Sequence, residues 1–431
     1  MIPSLPAETA LVLGGGGAKG GYEIGVLDAL TRLGITVTSV CGVSVGALNG
    51  ALFAQGAMEE AERIWTDIRL SDVVAPESAA LADAAENVFN HPEKLLGFLS
   101  QYKKNMGVDI TPLEELLRRT LREDVIRASA IRFSLVTTKV NGLSLVRKSI
   151  AEMSSGSLCD WLLASAACFP VFPLRSIGGE LYADGGFCDN TPVACALRDG
   201  AQHVIAVDIG KHRSHTKYDR RPNVTYIRTR RSLGGLMTFD PARSAFNRRL
   251  GCNDTLLAFG LLRGFSYAFD PKDALRCADR ARDFVSRLSI AEAALQPARA
   301  VSLGSRDKAP FFSLLEGGIE DAMDCVDYFL RACELAADIA ELDPTPVYTL
   351  HTFSEALRAA LPLEQAETLA ASLMNGHAGA LFSKPALDRR LAVSCLYCVI
   401  QKSGMDFPLA GYAASSFPRE FLCALTLLYL L

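Results

Sequence analysis

The chain has 431 residues, 49% hydrophobic and 21% charged, which is the balance of a folded globule and excludes a disordered one. A formal net charge of −4 gives no long-range pull toward nucleic acid, so no nucleic-acid partner is expected. No Lys or Arg precedes Lys19, which speaks against a secretory leader, and the apolar run 421–431 would cover only roughly 16 Å of a ~30 Å bilayer core.

In chain order, residues 10–14 form a short apolar run that ends in glycines. Helical spacing follows through Tyr22, Val26, Leu27, Leu30 and Leu33, and Gly34 stops it. Ile35–Cys41 is rich in β-branched residues and leads through a second glycine-flanked turn into a helical stretch, 47–55. Amphipathic helices are expected at 57–69 and 111–122, with a lid-like insertion of weak periodicity at 71–110. Strand signals return at Ile131–Val140 and Leu143–Arg147, then a helix near 157–167, a proline-rich segment at 169–173 and a strand ending at Asp184. A helix around 191–199 precedes two more apolar strands, His203–Ile209 and Val224–Arg228.

This alternation predicts an α/β domain over residues 8–230, with a mostly parallel sheet covered on both faces. From 231 to 431 the periodicity turns helical, in segments 273–295, 318–341, 353–375 and 386–402, so an all-helical domain of unassigned role is expected. The twelve cysteines show no framework spacing and are expected as reduced, mostly buried thiols of a cytoplasmic protein, Cys395 and Cys398 included. No metal or cofactor is expected.

Three short motifs carry chemistry. Gly42-Val43-Ser44-Val45-Gly46 fits the sharp strand-to-helix turn that exposes a nucleophilic serine, and equally a plain glycine-rich turn. Gly14–Gly20 follows a strand and precedes a helix, so the amides of Gly15, Gly16 and Gly17 could converge on a developing oxyanion. The same glycines satisfy a dinucleotide fingerprint. However, the second strand ends in Cys41-Gly42 and not in the acidic residue which that fingerprint wants. Tyr182-Ala183-Asp184-Gly185-Gly186 places a carboxylate at a strand end, where it is either a turn residue or a base within reach of Ser44.

Taken as a set, these motifs resemble those of the patatin-like phospholipases: a glycine-rich loop, here Gly15 to Gly20 with Lys19 in the basic position; G-x-S-x-G, here Gly42 to Gly46; and D-G-G, here Asp184 to Gly186. The run Ala164 to Pro173 is similar to the small-residue, proline-rich segment that precedes the family's aspartate. The resemblance spans roughly residues 8–210. It implies a three-layer α/β/α core, a Ser44–Asp184 dyad without histidine, and hydrolysis of lipid carboxylic esters through an acyl-enzyme. Acyl transfer to another acceptor, or a scaffold built on an inactive core, are the alternatives. The basic stretch 211–231 and the apolar C-terminus raise the option of a peripheral contact with a membrane surface, against a solvated loop and a packed helix. The substrate class expected is a lipid or a small ester.

Overall fold

The computed structural model describes residues 5–94, 108–210, 218–300, 310–317, 322–374, 388–404 and 410–431. Two compact units emerge, Met1–Phe259 and Gly260–Leu431.

The first unit is built on a sheet of eight strands: β1 (Thr9–Leu13), β2 (Ser39–Val43), β3 (Arg132–Lys139), β4 (Ser144–Ser149), β5 (Arg175–Ile177), β6 (Glu180–Asp184), β7 (His203–Asp208) and β8 (Val224–Arg228). The order is β5-β6-β3-β2-β1-β7-β8, with β4 on the remaining edge of β3. Strands β3, β2, β1, β7 and β8 pair in parallel; β4, β5 and β6 make antiparallel contacts. The central strands read as unbroken apolar runs because both faces are covered. Leu11, Leu13, Ile205 and Val207 pack on one face with Tyr22, Ile24 and Leu27 of α1 (Gly21–Arg32) and with Ala47 and Ala51 of α2 (Val45–Ala54). Alternate residues Ala10, Val12, Val204 and Ala206 meet Val193, Cys195 and Ala196 of a helix on the other face. The result is the three-layer α/β/α core.

Two amphipathic helices, α3 (Met58–Asp67) and, beyond the expected insertion, α5 (Thr111–Thr120), add apolar side chains to the larger core; Trp65 and Leu117 are buried. Among its described residues the insertion has the helix α4 (Ala79–Asn90); its residues 95–107 lie outside the described set.

The division between units falls about thirty residues beyond the 230/231 boundary that the change of sequence texture suggested. The reason is the helix Pro241–Ala258, which lies against α1. At Gly25 a side chain would run into the backbone oxygen of Arg248, and at Gly251 into that of Tyr22, so the two backbones touch where neither helix carries a Cβ. The Tyr22 hydroxyl then donates to Asp254 at 2.7 Å. A helix locked in this way belongs to the α/β unit although its sequence reads like the helical one.

The second unit is mainly helical, from Pro271–Arg276 to Pro418–Leu427, around a core that includes Phe284, Phe329, Phe353 and Phe421. It is not purely helical as expected, because β9 (Ala268–Phe269) and β10 (Val347–Tyr348) pair in parallel. Strands of two residues leave no periodic trace in a sequence. The apolar C-terminal run packs into this core, with Phe421, Leu422, Cys423, Ala424 and Leu427 fully buried. Cys395 and Cys398 are buried on the helix Arg389–Ser403. Among the described residues no helix is long and apolar enough to cross a membrane, and no group of His, Cys, Asp and Glu could hold a metal ion.

Candidate active site

Ser44 and Asp184 are 140 residues apart in sequence, and β3 brings them together. On one edge of β3, β2 arrives in parallel and pairs Val43 with Val136; β6 arrives from the opposite direction and pairs Asp184 with Thr137. The residue before Ser44 and Asp184 itself are thus partners of adjacent β3 residues. Thr137 and Thr138 hold the second approach, because their buried hydroxyls donate to Ala183 O at 2.7 Å and Asp184 O at 2.8 Å.

Ser44 has φ 52° and ψ −127°, a conformation that a side-chain-bearing residue adopts only when its surroundings impose it. Two constraints do so here. A Cβ at Gly42 would meet the Ala47 backbone at 2.5 Å, and one at Gly46 would meet Leu13 O, so the turn closes only with glycine on each side. In addition, the Ser44 amide donates to the Ser165 hydroxyl at 2.9 Å, and that hydroxyl donates to Val136 O at 2.7 Å. Ser165 is fully buried and pins the turn to β3.

Asp184 is also buried. Burial pushes its carboxyl up to about 6, while hydrogen bonding from the Ser44 side chain and from the Gly186 amide, the latter at 2.8 Å, draws it down. Gly185 sits where a side chain would strike Val136 O, and Gly186 where one would strike the Asn190 side chain.

The glycine loop lies against the serine: a Cβ on Gly15 would come within 3.2 Å of Ser44 Cβ. Asn190 staples this loop to the aspartate loop in two places, its side-chain amide donating to Gly15 O at 3.0 Å and its carbonyl accepting from the Gly15 amide at 3.3 Å. The Gly15 N–H therefore already has an acceptor. Gly17, at φ 57°, lies under Leu236, whose carbonyl accepts from Ala18 N at 2.8 Å. Leu236 and Met237 donate their own amides to the Glu86 carboxylate at 2.6 and 3.1 Å, so α4 supports the segment that roofs the loop. Gly20 packs on Val45 and Trp65.

Two cavities meet at Ser44. The larger, about 680 Å³, is lined by Gly15, Gly16, Ser44, Asp184, Gly186 and Asn190, and carries Lys19, Arg230 and Arg231 on its walls. The smaller, about 70 Å³, is apolar and is walled by Leu48, Leu52, Trp65, Leu113, Leu117 and Phe172 among others. No histidine lines either cavity among the described residues. The basic stretch 211–231 is described only from 218; there Arg228 pairs with Asp208 and Asp219, while Arg230 and Arg231 face the larger cavity. Leu143, Leu181 and Phe187 stand out as exposed apolar side chains at this end of the sheet. Phe187 lines the cavity mouth, Cys188 contacts Leu143 O at 3.6 Å, and Val140 N bonds Leu181 O at 2.9 Å.

The structure brings together Ser44, Asp184 and the glycines named from the sequence, and sequence reasoning passed over Ser165, Glu86, Asn190, Arg230 and Arg231 as individual residues. It also missed a buried trio under the loop: Asn49 donates to Glu23 at 2.8 Å and to Gly20 O at 3.1 Å, and accepts from Trp65 at 2.9 Å. Burial lifts the Glu23 carboxyl to about 8. A carboxyl in the first turn of an apolar helix was the available signal.

Residues 11–197 match the family described as patatin-like phospholipase. Lysophospholipase NTE1 of Scheffersomyces stipitis is 28% identical over 204 residues, which is 46% of this chain and 12% of that protein. Patatin-like phospholipase domain-containing protein 7 of Rattus norvegicus is 29% identical over 203 residues, 47% of this chain and 13% of that one. The matched region is thus about an eighth of the length of these relatives. Among solved structures, VipD from Legionella pneumophila aligns over 99% of this chain and 90% of its own, at 14% identity and a TM-score of 0.40.

Proposed function

We propose that the chain is a serine acyl hydrolase acting on lipid carboxylic esters. Ser44 attacks the ester carbonyl as Asp184 accepts its proton, and the Gly16 and Gly17 amides bind the oxyanion. The alcohol leaves with that proton, and water, activated by the same carboxylate, releases the fatty acid. The observation that carries this reading is the convergence on β3 of a serine at positive φ and a buried aspartate, at the meeting point of a polar and an apolar cavity. The apolar cavity suits an acyl chain, and the larger cavity, with its three basic side chains, suits a polar head group. Relatives named as phospholipases and lysophospholipases support the substrate class. The exposed Leu143, Leu181 and Phe187 offer an apolar rim for contact with a lipid surface.

The test is hydrolysis of a soluble ester together with labelling by a fluorophosphonate. Ser44→Ala loses both, and Asp184→Asn lowers kcat on the order of a hundred- to ten-thousandfold while the protein stays folded. Full activity in either variant refutes the assignment.

A further inference from the structure

The apolar cavity beside Ser44 is small. At about 70 Å³ it is far smaller than the polar cavity of about 680 Å³, and it takes only the first part of a fatty acyl chain. Behind it, between α3 and α5, lies a second cavity of about 440 Å³. The two are lined in common by Ile64, Ile68, Leu116 and Thr120. Those four side chains are the partition between them.

The partition is made of groups that can yield without leaving a polar atom stranded. Three are aliphatic, and the Thr120 hydroxyl is already bonded to Leu116 O at 2.7 Å, so it makes no demand on whatever passes. The frame around it is fixed. Gln55 of the residue pair following α2 donates to Thr120 O at 3.0 Å and accepts from Arg122 N at 2.7 Å, which anchors the end of α5. Trp65 is held by Asn49 at 2.9 Å on the α3 side. The outer cavity differs in character: Glu60, Arg63, Asp67, Asp72 and Arg119 surround its apolar floor. An acyl chain that reaches it finds room and a way toward solvent between two helices.

We infer that Ile64, Ile68, Leu116 and Thr120 form an acyl-length gate, through which chains too long for the inner cavity thread between α3 and α5 into the outer one. Short chains end before the gate and do not sense it. Long chains are accepted in proportion to how far the gate opens. This inference rests on the hydrolase reading and adds to it the residues that set chain-length preference.

The experiment compares the full chain with Leu116→Ala, which widens the gate, and Ile64→Trp, which narrows it. kcat/KM is measured for p-nitrophenyl butyrate and p-nitrophenyl palmitate, each normalised to the concentration of fluorophosphonate-labelled serine, and thermal melting reports folding. A methylene of pocket is worth about tenfold or more in kcat/KM, so the palmitate-to-butyrate ratio should rise about tenfold in Leu116→Ala and fall by at least as much in Ile64→Trp. If Ile64→Trp does not fold, Thr120→Leu carries the narrowing arm. A ratio unmoved in both directions, with labelling and butyrate hydrolysis intact, overturns the gate alone. A wild type that neither labels nor cleaves either ester overturns the hydrolase reading and the gate with it.

Discussion

Replacing Ser165 with Ala removes a single buried hydroxyl that makes two hydrogen bonds, accepting from the Ser44 amide at 2.9 Å and donating to Val136 O at 2.7 Å. Nothing else in the protein bonds the Ser44 amide among the described residues, and water has no access to Ser165. An amide left buried without an acceptor costs about 1–3 kcal/mol, and the weakened carbonyl partner adds to it, so a loss of about 2–4 kcal/mol of stability is expected. The turn also loses the restraint on its φ of 52°. Relaxation by about 1 Å at a nucleophile can reduce turnover on the order of a hundredfold. Urea unfolding measures the first effect, and steady-state hydrolysis of a soluble ester the second. Because Asp184 is untouched, the pH at which activity reaches half its plateau should not move. A variant that unfolds like wild type within about 0.5 kcal/mol shows that the hydroxyl does not hold the turn. One that loses stability but keeps kcat shows that it supports only the fold.

Hydrolysis should fall as pH drops through about 6, because burial holds the Asp184 carboxyl there and only its ionised form can take the Ser44 proton; a profile flat to pH about 4 would exclude it as the base. Glu23 gives a stability signature of opposite slope. Its carboxyl is raised from 4.5 to about 8, so stability is fullest below about pH 4.5 and declines as pH rises through about 8, and Glu23→Gln should flatten that decline in urea midpoints. Asn190→Ala cuts the side-chain half of the staple to the glycine loop and should lower kcat roughly tenfold with little change in melting temperature, read by paired kinetics and calorimetry. The double substitution Leu143→Asp with Leu181→Asp should depress hydrolysis of vesicle-borne lipid severalfold and leave a soluble ester unaffected, since both side chains are exposed and neither lines the cavities.

The parts of the site that were legible in the sequence are those where backbone geometry restricts residue choice. Gly42 and Gly46 flank Ser44 because a side chain at either place collides with the main chain, and such restrictions are written into sequence as glycine. The strands β1, β2 and β7 could be read from buried apolar runs, and Asp184 from the pair of glycines that follows it. Ser165 could not, since it lies in a run of small residues where its hydroxyl has no distinguishing context until β3 supplies Val136 O. Arg230 and Arg231 were visible only as members of a basic stretch, because facing the cleft is a property of the chain's path after β8 and not of its composition.

The difference between the boundary expected at 230/231 and the division at Phe259 has the same cause and a functional consequence. The helix Pro241–Ala258 has little amphipathic contrast, and its membership in the α/β unit rests on contacts at Gly25 and Gly251 and on the pair of Tyr22 with Asp254. Between it and β8 runs the segment that contributes Arg230, Arg231 and Leu236 to the larger cavity. That segment is held at one end by the sheet, at the other by a helix docked on α1, and in the middle by Glu86 of α4 and by the Ala18 amide of the glycine loop. The residues on the basic side of the cleft are therefore fixed to the same helix that the glycine loop opens. A division at residue 230 would have cut the cleft in two; the observed one keeps Ser44, Asp184, the glycine loop and both cavities within one folded unit.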